Sequence, residues 1–207
     1  QGQASQAIAI GANAATQTQQ VYAIAIGYNA GQYTQGTSAI AIGYNAGQSN
    51  QGTESVAIGY NAGTSNQGQQ CVAIGQSAGQ ITQFDTAVAV GHLAGLFRQG
   101  THACAVGYRA GTSNQGISAV AIGQNAGSTA QGIYAVAIGS EAGKFGQGDY
   151  AIAIGNSAGL NAQPNGSIVI NASSNTLINP TAIDSCVINP IRTAPAGPAY
   201  NTLLYDN

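Results

Sequence analysis

A glycine behind an aliphatic residue returns every 16 residues along this chain, at Gly11, Gly27, Gly43, Gly59, Gly75, Gly91, Gly107, Gly123, Gly139 and Gly155. A period held this strictly through ten copies excludes an ordinary globular domain. It predicts a solenoid in which each repeat forms one coil and covers the apolar edge of the next.

With that glycine as origin, the residue before it is Ile or Val in every copy, as in Ile26, Ile58 and Val90, and the residue three before it is Ile, Val or, once, Cys104. Alanine always stands between the two. Alternation rich in branched residues and stopped by glycine predicts a short β-strand, and a 16-residue unit leaves no room for a helix as well. Side chains alternate across a strand, so the Ile/Val columns share one face and the alanines take the other. The branched columns are expected to fill the coil as ladders about 4.8 Å apart, giving a shaft of roughly 50 Å over ten coils. That leaves Ala25, Ala41, Ala57, Ala73, Ala89, Ala105, Ala121, Ala137 and Ala153 on the outer face, where small side chains let another copy of the chain approach closely. These alanines are the expected subunit-interface residues.

Two further columns are architectural. A second glycine follows four residues after the first, from Gly31 to Gly159, and supplies the positive-φ or tightly packed corners of a narrow coil. No helix, lysine or acidic partner accompanies it, so it is not a phosphate loop. Glutamine stands at the eighth position of every coil, from Gln19 to Gln163. Two roles fit it: an internal amide ladder running from coil to coil, or a cap on backbone groups at the turn.

The stretches AIAIG at 23–27, SVAIG at 55–59 and AVAIG at 119–123 resemble the head repeats of trimeric autotransporter adhesins of the YadA type, over roughly residues 4–175. GYNAGQSNQG at 43–52 is closer to the 16-residue form found in fibre proteins of large viruses and phages. The resemblance implies an all-β, left-handed parallel β-roll assembled as a homotrimer, with the alanine column toward the neighbouring subunit. It further implies a fibre or spike that attaches to a host surface, either on a virion or as the head of a bacterial adhesin, and hence an extracellular location.

Composition narrows the function classes. Only 5% of residues are charged and the net charge is −2. Phosphate binding needs clustered cations, whereas Arg98, Arg109, Lys144 and Arg192 are dispersed, so nucleic acid is not an expected partner. No apolar run is long enough to span a membrane. The lack of an initiator Met or signal peptide is expected of a fragment or processed product, and slightly favours a virion fibre over a secreted adhesin. Cys71, Cys104 and Cys186 lack metal-ligand spacing; Cys71 and Cys104 lie two coils apart, beyond disulfide reach. Cys71 is expected to pack structurally or to meet its symmetry mates. His92 and His102 become metal ligands only if threefold symmetry gathers copies of them, and they read more simply as surface residues. Asp85, Glu141 and Asp149 form no pair in the repeat frame, and no nucleophile triad is legible. Neither catalysis nor a cofactor is expected. An enzyme on a solenoid scaffold would need a groove of grouped acids and bases.

Departures from the repeat are where a binding surface would be written. Tyr28, Tyr44, Tyr60 and Tyr108 share the position after the first glycine and form an aromatic row that either faces a partner or packs around the corner. Ile81, Phe84, Leu93, Leu96, Phe97 and Arg98 interrupt an otherwise Ser/Asn/Gln-rich half of the coil and predict a partner contact, with a cell-surface glycan or protein or with a second fibre. After residue 166 the code changes: Val169 replaces the fixed alanine, and Leu177, Ile178, Pro180, Pro190, Pro195 and Pro198 add bulk and stops. A β-roll over 1–166 and a cap or neck over 167–207 are therefore expected. The segments NPIR at 189–192 and LLYDN at 203–207 resemble the neck before an endosialidase-type intramolecular chaperone, which implies that Asn207 is a processed end.

Overall fold

The computed structural model describes residues 2–173 and 178–189. Within them the chain forms 23 short strands and no helix. Each coil contributes one strand to each of two parallel sheets. The aliphatic sheet has 12 strands, such as Ile24–Ile26, Ile40–Ile42 and Val56–Ile58; the glutamine sheet has 11, such as Thr34–Gln35, Ser49–Gln51 and Ser65–Gln67. Register never slips. Val72 pairs with Val88, Ala73 with Ala89 and Ile74 with Val90, and Gln35, Gln51 and Gln67 stack in the same way. The 16-residue period is thus the path length of one complete turn.

Corners continue the ladder instead of interrupting it. The Gly27 N–H donates to the Ile10 carbonyl at 2.8 Å, Asn29 to Ala12 at 3.0 Å and Gly31 to Ala46 at 3.0 Å, so the turn residues also find partners in adjacent coils. The first-glycine column has φ near 125°, and a Cβ at Gly59 would meet the Gly75 carbonyl oxygen at 2.8 Å. No side chain fits there. Two residues on, φ is again positive, and this left-handed position is held by Asn29, Asn45, Asn61 and Asn125, a residue that tolerates it. Asn29 donates through its side-chain amide to Asn45, and Asn45 to Asn61, at 3.0 and 3.1 Å.

The interior corrects the expected facing. Ala25, Ala41, Ala57, Ala73, Ala89, Ala105, Ala121, Ala137 and Ala153 are fully buried within a single chain, inside the coil, and so are not placed on an outer subunit face. Ile and Val point outward. The alternation holds with the opposite sense, because the regular coil is too narrow for a branched core: a Cβ added to Gly95 would come within 3.1 Å of the Ala89 methyl. The core is a row of methyl groups from this column and from Ala46, Ala62, Ala78, Ala94 and their equivalents.

The largest fully buried side chains over the regular coils are glutamines. Their amides do both of the jobs that the repeat allowed. Gln99 Nε2 donates across the interior to the Val88 carbonyl of the aliphatic sheet at 2.6 Å and to the Ala103 carbonyl at the next turn at 3.3 Å. The cross-sheet bond recurs in every coil from Gln19 to Gln163. Gln83 also donates to Gln99 Oε1 at 2.8 Å, one rung of an amide ladder that runs only in places. Gln51 and Gln115 Oε1, among others, accept no hydrogen bond among the described residues. A Cβ at Gly111 would strike the Gln115 amide at 2.7 Å, which is why the second column is glycine.

Past residue 166 the two sheets part company. The aliphatic sheet continues through Ile168–Asn171 and Cys186–Asn189, in register with Ile152–Gly155, while among the described residues the last strand of the glutamine sheet is Asn161–Gln163. Val169 sits fully buried where alanine stood, and Ile178, bridged to Ala158, packs against the end of the methyl core. Leu177 and residues 190–207, with Pro190, Arg192, Pro195, Pro198 and the LLYDN segment, lie outside the described residues.

Candidate interaction surfaces

Turning the aliphatic strands outward creates a long apolar surface on the aliphatic sheet. Ile24, Ile40, Val56, Val72, Val88, Cys104, Val120, Val136 and Ile152 form one half-buried row along the axis. Ile26, Ile42, Ile58, Ile74, Val90, Val106, Ile122, Ile138 and Ile154 form a second, parallel row, with Ile74 still 38% and Ile122 39% exposed. The only polar member of either row, Cys104, has its thiol pushed toward protonation by desolvation. Sequence reasoning placed these residues inside and so missed them as a surface. The signal was present in the column four residues before the first glycine: Ser55, Cys71 and Ser167 substitute for alanine immediately before the strand, and a column restricted to Ala, Ser and Cys marks the crowded side.

Cys71 belongs to that crowded side. It is buried, with Sγ donating to the Phe84 carbonyl at 3.0 Å, and burial pushes its thiol up to about 11. A meeting with symmetry mates is excluded by this interior position, and structural packing remains. Ser55 shows the same logic, its hydroxyl donating to the Gly68 carbonyl at 2.6 Å. Cys186 is exposed.

The tyrosine row combines both readings. Tyr28, Tyr44 and Tyr60 stack on one another, with centroids 5.1 and 5.2 Å apart and planes within 13°. Each is also close to half exposed, so the faces are used in packing and the edges remain open. Tyr108 does not join them; it lies 5.4 Å from His92 at a tilt and under the Arg109 guanidinium. Among the described residues no group of three His, Cys, Asp or Glu gathers anywhere. Lys144 pairs with Glu141 at 2.7 Å, while Asp85 and Asp149 accept from the Gln69 and Ile133 backbone N–H groups at 2.9 and 2.8 Å. The acids are committed to holding turns.

The irregular patch is only partly brought together. Ile81 and Phe97 are paired neighbours on the outside of the glutamine sheet, and both are exposed. Leu96 is buried and Leu93 half-buried, so neither serves as an open contact. Phe84 and Arg98 converge on a different feature, a groove of about 380 Å³ completed by Thr101, Asn114, Ile117 and Ile133. The last two were not legible as site residues, because they lie two and three coils from Phe84 in sequence.

A comparison with family models matches the YadA head domain repeat over residues 3–30, 34–46, 51–78 and 115–142. The coils within these segments are similar to YadA head repeats. No curated protein and no solved structure matches the chain. The matched segments include outward aliphatic strands and glycine corners of this chain, whereas the coils between residues 79 and 114, which hold Phe84 and Arg98, fall between matches. No helix among the described residues is long and apolar enough to cross a membrane.

Proposed function

We propose that this chain is the rod of a surface-exposed, adhesin-like structure, non-catalytic and assembled as a homotrimer through its two outward aliphatic rows. One observation carries the reading: a continuous stripe of Ile and Val runs the length of the aliphatic sheet and stays partly open on the single chain. Completing the burial of each such residue contributes on the order of 0.5–1 kcal/mol, and the stripe repeats in every coil, so a single chain leaves much of its apolar stabilisation unused. Three identical stripes facing one another close the surface with cyclic symmetry. The family match supports an adhesin head. A virion fibre uses the same rod, and the attached surface is that of a cell in either setting, so the location is extracellular. The remaining sides of the coil, with the tyrosine edges and the groove at Phe84, are left for contact with that surface.

Native mass spectrometry tests the assembly. The intact chain is expected at three times its 20.5 kDa mass, and a variant carrying Ile58→Asp and Ile74→Asp is expected to run as a single chain with an unchanged β-sheet spectrum. An intact protein that stays monomeric at micromolar concentration would falsify the assembly. Beads coated with the trimer and offered to a panel of bacterial and eukaryotic cells test attachment separately, and failure to bind any of them removes that role.

A further inference from the structure

The structure assigns a ligand class to one site: we propose that the groove between Phe84 and Arg98 binds a saccharide carrying a carboxylate, with the Phe84 ring against a sugar face and the Arg98 guanidinium on the acid. This rests on the attachment reading above and names its ligand.

Phe84 occupies a column that is glycine at Gly36, Gly52, Gly68, Gly100, Gly116, Gly132 and Gly148. Crowding enforces that choice elsewhere, since a Cβ at Gly116 or Gly132 would lie 2.5 Å from backbone of the next coil. Gln20 and Pro164 depart from it toward the two ends, but between Gly36 and Gly148 the one departure is Phe84, a large ring that stays 47% exposed. Its benefit is not burial.

Arg98 stands on the adjoining coil. Its φ of 54° is the left-handed conformation of its column, shared with Asn50, Asn66, Thr82, Asn114 and Ala130, so the turn itself does not dictate an arginine. The charge is also free to act. Lys144 is paired with Glu141 and Arg109 lies over Tyr108, but among the described residues Arg98 has neither an ion pair nor a ring contact. Among the described residues it is the only charged one lining the groove, so the groove complements an anion.

The rest of the lining chooses the kind of anion. Asn114 and Thr101 offer an amide and a hydroxyl for hydrogen bonds, while Phe84, Ile117 and Ile133 supply an apolar wall. One ring, one cation and two neutral hydrogen-bonding groups suit a sugar, with its apolar ring face and rim of hydroxyls, better than an extended peptide, which would seek a free strand edge. Both sheets pair continuously past this point, leaving no such edge. No residue of the two aliphatic rows lines the groove, so assembly through those rows does not consume its walls.

Calorimetric titration of the intact protein with sialyllactose, a glucuronate-containing disaccharide, neutral lactose and a hexaglutamate peptide tests the assignment. At least one acidic sugar is expected to bind ten times or more tighter than lactose and the peptide. Phe84→Gly and Arg98→Asn each restore the residue that the repeat uses elsewhere, so both are expected to fold, and each is expected to weaken that binding tenfold or more. Binding of neither acidic sugar, equal binding of lactose, preference for the peptide, or unchanged binding by the variants overturns the proposal. If the trimer holds cells and both variants hold them equally well, the groove assignment fails while the attachment reading stands. If the acidic sugar binds but no cell is held, the reverse applies.

Discussion

Within a single three-residue strand, the two walls of the aliphatic sheet obey opposite rules. Ala89 faces a core in which the neighbouring glycine has no space for a methyl, and Val88 and Val90, one bond away on either side, face outward and remain half-buried. In an ordinary sheet the larger residues mark the core. Here size marks the outside, and the difference teaches that a very thin solenoid keeps its walls together with methyl contacts and amide cross-links while placing its bulk where other chains can cover it.

Overfilling the inner wall is the most severe way to challenge this contrast. Ala89→Leu is expected to cost about 3 kcal/mol or to prevent folding, because no rotamer avoids the opposite corner. Val90→Leu on the outer wall is expected to change chemical denaturation little. Equal effects at both positions would show that the walls are not distinct.

Next in size is the loss of a cross-link. Gln99→Ala is expected to destabilise by about 2 kcal/mol, since the Val88 and Ala103 carbonyls lose a donor and Gln83 loses its acceptor inside the coil. A midpoint shift no larger than that of an exposed Gln76→Ala control would mean that the amide merely fills space.

The smallest effect is a chemical footprint. Cys71 lies on the inner wall and Cys104 on the outer, so a thiol reagent at pH 8 is expected to label exposed Cys186 first, Cys104 when the subunits are dissociated, and Cys71 only on unfolding. The pH response has a defined sign. Burial raises the folded-state value of Cys71 to about 11 from 9.0, so its contribution is fully present below about pH 9 and is lost as pH rises through about 11. A Cys71→Ala variant is expected to lose that part of the alkaline decline, and labelling of Cys71 in the folded protein would contradict an inner wall at this column.

Much of this was legible in advance. The glycine period gave the coil, the alternation gave the strand, and the invariant glutamine announced a structural amide whose two candidate roles turned out to coexist. Phe84 and Arg98 stood out as interruptions, although their meeting with Asn114, Ile117 and Ile133 depends on stacking of coils that sequence distance conceals. Leu93 and Leu96 looked equivalent to them and are not, because a one- or two-residue shift around the corner turns a side chain from solvent to packing.

What the sequence determines by itself is periodicity: a repeated step fixes the number of coils, their register and which side chains share a face, since these follow from backbone geometry alone. Which face closes inward was decided only in three dimensions. That choice depends on the width left between the two sheets after the left-handed corners have folded back, and in the regular coils the corners leave room for a methyl group and an extended amide but not for a branched side chain, which enters only at Val169 after the last of them.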